Sequence, residues 1–309
     1  MSRYRLALSP AQEAVLREHC AHARYVWNLC IEQEAEWRPG RGAMPRFAGR
    51  CRQLSEARAG SAWLAAGSVI VQQQAVRDHD QAMANFFAGT HRRPSWRKAG
   101  RDEAFRIVAV KPGDVRRLSR KHAEVRIPKA GWVRFRLSRP VPGDVKSFRV
   151  TMDRAGRWHV AFAAIPGPVP APGNGEVAGV DRGVAVSAAL STGEMLDVPR
   201  LSPGRQARLV RFQRKLARAR KGSSRRSKVK RSIAKLTARE ADARKDWCEQ
   251  VSTGLARRFD VIRVEDLKIG NMTRSARGTV SQPGPERRSQ SRAEPGDSAI
   301  RLGPAGATP

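Results

Sequence analysis

The sequence predicts a mixed multidomain architecture, part α/β and part all-β, and three features of its 309 residues carry that prediction. Residues 9–99 read as helical, and within them apolar side chains from Leu16 to Cys30 recur at alternating spacings of four and three, the period of an amphipathic helix. Residues 100–168 break into short alternating runs separated by turn residues, as half-exposed strands do. From residue 176 a nearly all-apolar run leads into long basic helical stretches and then a second short apolar run, so strands and helices alternate. A Pro-rich stretch at 166–175 separates the last two regions and marks a domain boundary.

Residues 4–8 read as a short strand. Ser9-Pro10-Ala11-Gln12 then joins a capping serine, proline at the first helical position and glutamine at the third, so a helix starts there and runs to about residue 37. Its buried face is expected to carry Leu16, Cys20, Ala23, Trp27 and Cys30. Beyond a loop at 38–47, a further helical stretch is expected to bury Val69, Val76, Met83 and Phe86. No helix-turn-helix turn or set of recognition residues is evident in these helices, and a helical bundle is the reading they support.

Strands are expected at 104–110, 124–127, 132–137, 145–151 and 158–164. Asp153-Arg154-Ala155-Gly156 suits a hairpin loop, so this region forms a small antiparallel barrel or sheet. The run at 177–190 reads as a buried central strand with its hairpin neighbour, and 259–264 as a second buried strand. Between them lie two basic helices, about 203–219 and 226–258, whose apolar stripe includes Leu209, Phe212, Leu216, Ile233, Leu236, Trp247 and Leu255. Residues beyond 280 are mostly Gln, Pro, Gly, Ser, Arg and Glu, a composition expected to stay disordered.

Charge narrows the function. Against 60 Lys and Arg stand 28 Asp and Glu, a formal excess of +32 that would repel itself unless a polyanion shared it. Nucleic acid is the expected partner. No apolar run is long enough to span a bilayer and no signal peptide follows Met1, so a membrane is not expected and the cytoplasm is. Cys20, Cys30, Cys51 and Cys248 form no CxxC pair, and His19 and His22 flank Cys20 without enough ligands for a closed zinc site; reduced thiols and structural histidines are expected.

Two carboxylates carry the chemistry. Asp181 in Gly179-Val180-Asp181-Arg182-Gly183 sits in an apolar strand, where an ionised group is costly unless a cation or hydrogen bonds satisfy it. Glu265, in Val264-Glu265-Asp266-Leu267, repeats the arrangement on a second strand. Acidic side chains converging at one sheet edge suit Mg2+, a hard cation used in phosphodiester hydrolysis. The competing reading has Asp181 turning a strand and Glu265 pairing with Arg263 or Lys268, in a basic RNA-binding protein without catalysis.

The same residues carry a family resemblance. Gly179 to Gly183 resembles the first motif of the RuvC-like nuclease domain in TnpB/OrfB transposon proteins, with Ser191-Thr192-Gly193-Glu194 matching the turn that follows it. Val264 to Leu267 is similar to the second motif, followed by Asn271-Met272. Gln213 to Arg218, Lys221-Gly222-Ser223 and Arg244 to Trp247 are similar to the family's basic helical insertion. Upstream, Arg24 to Asn28, Pro94 to Arg97, Gly131-Trp132-Val133 and Gly156-Arg157-Trp158 match in the same order.

The resemblance implies a wedge-like β-barrel at 1–8 and 100–168, a helical recognition domain at 9–99, and a partial RNase H-like (RuvC-like) domain at 176–272 with a helical insertion at 203–258, ahead of a disordered tail at 273–309. It implies Asp181 and Glu265 as catalytic, magnesium-holding residues, and a guide RNA and target DNA as partners. Phosphate contacts are expected from Arg214, Lys215, Arg218, Lys221, Arg225, Arg226, Lys228, Lys230, Arg244 and Lys245. Family members continue into a zinc ribbon with paired CxxC motifs and a third motif bearing another Asp. Neither follows Met272, and Asp297 in Pro295-Gly296-Asp297-Ser298 is not that motif, so a truncated or frameshifted, cleavage-deficient protein without zinc is expected.

Overall fold

The computed structural model describes residues 2–38, 40, 42, 44–143, 145–164, 168–183 and 186–266, and the chain divides into two units between residues 166 and 167. The expectations for 267–309, Asn271-Met272 and the disordered tail among them, lie outside the described residues.

In the first unit the backbone enters as β1 (Ser2–Ala7) and turns into α1 (Pro10–Glu36). The Ser9 hydroxyl accepts from the Gln12 amide at 3.2 Å while the Gln12 carboxamide oxygen accepts from the Ser9 amide at 3.1 Å, closing the expected capping box. The predicted face is buried, with His19, His22 and Val26 added to it. Each added histidine is placed by a backbone carbonyl, His19 Nε2 against Pro128 O at 2.8 Å and His22 Nε2 against Trp63 O at 3.1 Å.

The second helical stretch is three helices, α2 (Phe47–Ala59), α3 (Ala62–Ala66) and α4 (Val69–Phe87). Here the expected face is corrected. Of Val69, Val76, Met83 and Phe86 only Val76 is buried, and Val69 is 42% exposed. The buried face is instead Val71, Gln72, Gln74, Ala75, Val76 and His79. Its polar members hide the apolar period. Gln72 Nε2 donates to Leu64 O at 2.9 Å, and its carbonyl oxygen accepts from Arg58, so the amide is satisfied inside the protein.

Six strands follow: β2 (Ala104–Val108), β3 (Val115–Arg117), β4 (His122–Ile127), β5 (Gly131–Arg136), β6 (Ser147–Met152) and β7 (Trp158–Ala163). With β1 they make one antiparallel sheet in the order β2-β6-β7-β1-β5-β4-β3. β3 escapes prediction because three residues, two of them arginine, show no alternation. The β6–β7 turn is the expected one: Gly156 N donates to Asp153 O at 2.9 Å, and Gly156 holds φ +78°, a conformation glycine adopts without strain. Tyr4, Phe135, Phe148 and Phe162 form an aromatic centre continuous with Leu16, Cys20, Val71 and Val76. The helices and the sheet therefore share one core.

A polar node ties three helices together. Arg50 on α2 reaches Glu34 on α1 at 3.0 Å and Asp80 on α4 at 2.6 Å, and its Nη1 donates to His79 Nδ1 at 3.0 Å. That bond requires an unprotonated Nδ1. Burial, then the neighbouring Arg50 charge, push the His79 pKa down to about 4, and burial lowers His19 and His22 as well. An unfolded histidine takes its proton near pH ~6.5, so between there and the lower folded pKa values the unfolded chain binds more protons. Stability should fall as pH drops from 7 to 5, and the fall should be shallower in His79→Gln. Urea titrations of the full chain across that range check this; an equal decline in both proteins would refute the assignment.

The second unit has a four-stranded sheet of β8 (Val177–Asp181), β9 (Ala188–Leu190), β10 (Met195–Leu196) and β11 (Val261–Val264), in the order β10-β9-β8-β11. The first three strands are antiparallel, and β11 runs parallel to β8. Between β10 and β11 come α5 (Pro203–Arg218) and α6 (Ser224–Arg258), packed as the expected hairpin. Val251 and Leu255 of α6 meet Ala178, Val180, Ala188, Leu190 and Ile262 in a small core.

Candidate carboxylate pair and basic hairpin

Period-two alternation decides which way the acids face. Ala178 and Val180 turn to the core beneath α6, so Val177, Gly179 and Asp181 lie on the other face of β8. On β11, Ile262 packs on that core, leaving Val261, Arg263 and then Glu265 opposite. The parallel register ends with Val264 beside Val180. Asp181 is the last residue of β8 and Glu265 directly follows β11, so the two residues stand at the same ends of adjacent parallel strands.

Arg182 joins the two strand ends, its Nη2 donating to the Glu265 carbonyl at 3.2 Å. On the other side of β8, Ser191 holds Gly179 twice, its amide donating to Gly179 O and its hydroxyl accepting from Gly179 N, both at 2.9 Å. Glu194 in the same turn pairs with Arg258 at 2.8 Å. Asp260 lies at the opposite end of β11, where its carboxylate accepts from Gly173 N and Gly175 N at 2.7 and 2.5 Å, so it serves the backbone.

One expectation is overturned. The apolar pattern makes β8 buried on both faces and 259–264 a second buried strand, whereas Asp181 and Glu265 are exposed and β11 buries little. Among the described residues β11 is an edge strand and the core lies on one face of the sheet. Desolvation therefore gives no reason for a cation beside Asp181. Two carboxylates with water completing the shell fit a single Mg2+, which keeps several waters and takes one or two acidic ligands. Among the described residues no group of three or more His, Cys, Asp or Glu side chains is placed to hold a metal.

The basic hairpin divides by role. Arg214, Lys215, Arg218, Lys221, Arg225, Lys228, Lys230 and Lys245 are exposed, with no ion pair among the described residues. Arg226 and Arg244 are half-buried and engaged. Arg226 Nη1 donates to Leu216 O at 2.7 Å and Ala219 O at 3.0 Å, closing the carbonyl end of α5, and Arg244 pairs with Glu240 one turn earlier. Arg244 and Glu240 stand one turn apart on a single helix, whereas the bonds of Arg226 cross the hairpin and no spacing along the chain shows them.

Cys20 and Cys30 are buried and Cys51 and Cys248 partly so, none of them in a disulfide; burial pushes Cys20 up to about 12 and Cys30 to about 11, where they are unreactive. Among the described residues no helix is long and apolar enough to cross a membrane.

Comparison with known proteins connects this geometry to a family. The OrfB_IS605 family model, described as "Probable transposase", matches residues 148–276, and a companion model described as "Helix-turn-helix domain" matches residues 2–42. The chain is 31% identical over 298 residues to the "Putative RNA-guided DNA endonuclease InsQ" of Escherichia coli (strain K12), covering 94% of this chain and 71% of that one. It is 29% identical over 279 residues to the "Putative RNA-guided DNA endonuclease" of Streptomyces pristinaespiralis, covering 89% and 68%. The helix-turn-helix match supports DNA binding in a span where local turn signals give no expectation of it. Its described residues form β1 and the single long helix α1, which explains why no pair of helices about a tight turn is legible there.

Proposed function

Because the chain belongs to the OrfB family of insertion-sequence transposases, we propose that it holds a guide RNA and, through base pairing of that RNA, a DNA target. The first unit then serves as a wedge-like sheet with its helical recognition part, and the second as a partial RNase H-like domain with α5 and α6 inserted. One observation carries the nuclease ancestry: Asp181 and Glu265 at the same ends of adjacent parallel strands. In this reading those two side chains hold one magnesium ion, which would polarise a phosphodiester and activate water. Arg182 keeps the strand ends in register, and the eight exposed cations of the hairpin meet phosphate.

Cleavage by paired metal ions draws on more acidic ligands than the two that stand together among the described residues, and on that ground we read the chain as binding its target without cutting it efficiently. A second reading, a basic RNA-binding protein with no metal, is favoured by the solvent exposure of both carboxylates, since a hydrated acid at a strand end requires no cation.

Purifying the full chain from cells and sequencing its RNA tests the proposal. A single dominant species encoded at the end of the element is expected; a random sample of cellular RNA would refute guide binding. Replacing Lys215, Arg218, Lys228 and Lys230 by alanine should weaken binding evenly across sequences and flatten its salt dependence, by about 0.7–0.9 in slope for each phosphate no longer neutralised.

A further inference from the structure

Where α1 and α4 meet β2 and β6, three arginines line one small cavity together with Asp78: Arg97 from the segment before β2, Arg106 of β2 and Arg149 of β6. The sheet register sets Arg106 directly opposite Arg149. Side chains so placed share a face about 5 Å apart, and like charges there repel. Arg97, half-buried, brings a third charge to the same place. Burial, then the Arg149 charge, push the Arg97 guanidinium down to about 10 against the pull of Asp78.

One acid does not balance three cations. Asp78 Oδ1 takes the Gln74 amide at 2.7 Å and lies 3.8 Å from Arg106 Nη1, beyond hydrogen-bond reach. Arg106 Nη2 donates to Ser147 Oγ at 3.3 Å, while the Arg97 and Arg149 guanidinium groups make no hydrogen bond or ion pair among the described residues. The segment that carries Arg97 is pinned to α1. Trp27 Nε1 donates to Ser95 O at 3.0 Å, and Asn28 accepts from Arg97 N at 2.8 Å and donates to Arg97 O at 3.0 Å. Arg24 and Gly100 N both donate to Glu103 at 2.7 Å, and the Arg97 guanidinium lies over the Trp27 ring at 3.6 Å. A group placed before its ligand arrives loses little freedom on binding.

We infer that Arg97, Arg106 and Arg149 together clasp one backbone phosphate of the bound nucleic acid. The inference rests on the nucleic-acid reading above for the source of that phosphate, and adds a seat in the first unit to the hairpin cations of the second. Planar guanidinium groups match phosphate oxygens two bonds at a time. The cavity between them, about 10 Å³, has room for no more than one water and cannot enclose a free phosphate ion. A phosphodiester lying across its mouth needs no enclosure, and Arg106 and Arg149 are exposed to receive it.

The test titrates the full chain with a ~20-nucleotide oligouridylate and a ~20-base-pair DNA duplex across a range of salt. Arg149→Gln should weaken binding about threefold, and Arg97→Gln/Arg149→Gln about tenfold or more. In the double variant the slope of log affinity against log salt should fall by about 0.7–0.9, one phosphate's share, although two charges are gone. Weakening on either probe supports the seat and identifies its strand. A slope loss near twice that share, or affinity within about twofold of the parent in the double variant, overturns it. Arg154→Gln, an equal loss of charge on the exposed β6–β7 turn, should leave affinity nearly unchanged; if it weakens binding as much as Arg149→Gln, general charge explains the effect and the seat falls. Without nucleic acid, Arg149→Gln should melt no lower than the parent, since it removes repulsion and no partner; a lower melting temperature overturns the premise. Inorganic phosphate should stabilise the parent no more than chloride at equal ionic strength, and a rise that Arg149→Gln abolishes would mean a free-anion site and overturn the backbone assignment. A positive result at this seat beside random co-purified RNA would sink the guide reading and leave the seat standing.

Discussion

Replacing Asp181 by alanine is expected to lower the magnesium affinity of the full chain by about tenfold or more, since changing even an outer-shell partner of a metal ligand commonly costs 10- to 100-fold. Glu265→Gln should do the same. In both proteins, a magnesium-dependent change in nucleic-acid binding should disappear. The two acids stand at the same ends of adjacent parallel strands, and either carboxylate alone leaves a hydrated ion with one acidic ligand. Both side chains are exposed, so the folded state should survive either substitution with little change in melting temperature. Calorimetric titration with Mn2+ or Mg2+ provides the readout, and unaltered affinity in Asp181→Ala would move the protein to the metal-free RNA-binding reading.

The largest expected effect on stability comes from Arg50→Met. The Arg50 side chain is 4% exposed and neutralises Glu34, itself 10% exposed, while also bonding Asp80 and His79. Removing one partner of a buried pair leaves the other charge unpaired in a poorly solvating interior, at a cost of about 3–5 kcal/mol. Methionine keeps much of the volume, so the destabilisation reports charge rather than a cavity. Urea unfolding of the full chain measures it. The double variant Arg50→Met/Glu34→Gln should recover part of that stability, and a single variant within about 1 kcal/mol of the parent would show that the node contributes little.

Several parts of this molecule are legible in its sequence. The Ser9–Gln12 cap, the buried face of α1, the β6–β7 turn around Gly156 and the α5–α6 hairpin all follow from bonds or contacts between residues a few positions apart. Local physics is enough for such features, because the partners are already near one another along the chain. The buried face of α4 is not legible, for the complementary reason. Gln72, Gln74 and His79 are buried because Leu64, Arg58, Asp78 and Arg50 supply their hydrogen bonds, and three of those four donors and acceptors come from other helices.

The candidate site shows the same division. The motifs around Asp181 and Glu265 are local and stand out from their neighbours in the chain. That Arg226 is engaged, that Arg182 reaches the Glu265 carbonyl, and that Asp260 serves the backbone depend on packing.

By itself, then, the amino-acid order determined the charge excess that suits a polyanion, the family and the kinds of residue that could carry its chemistry, because charge and short motifs are properties of the chain. Only the tertiary structure decided that the two acids are exposed and stand at the same ends of adjacent parallel strands. The physical reason is strand pairing: residues more than eighty positions apart become neighbours through backbone hydrogen bonds whose register no local pattern encodes.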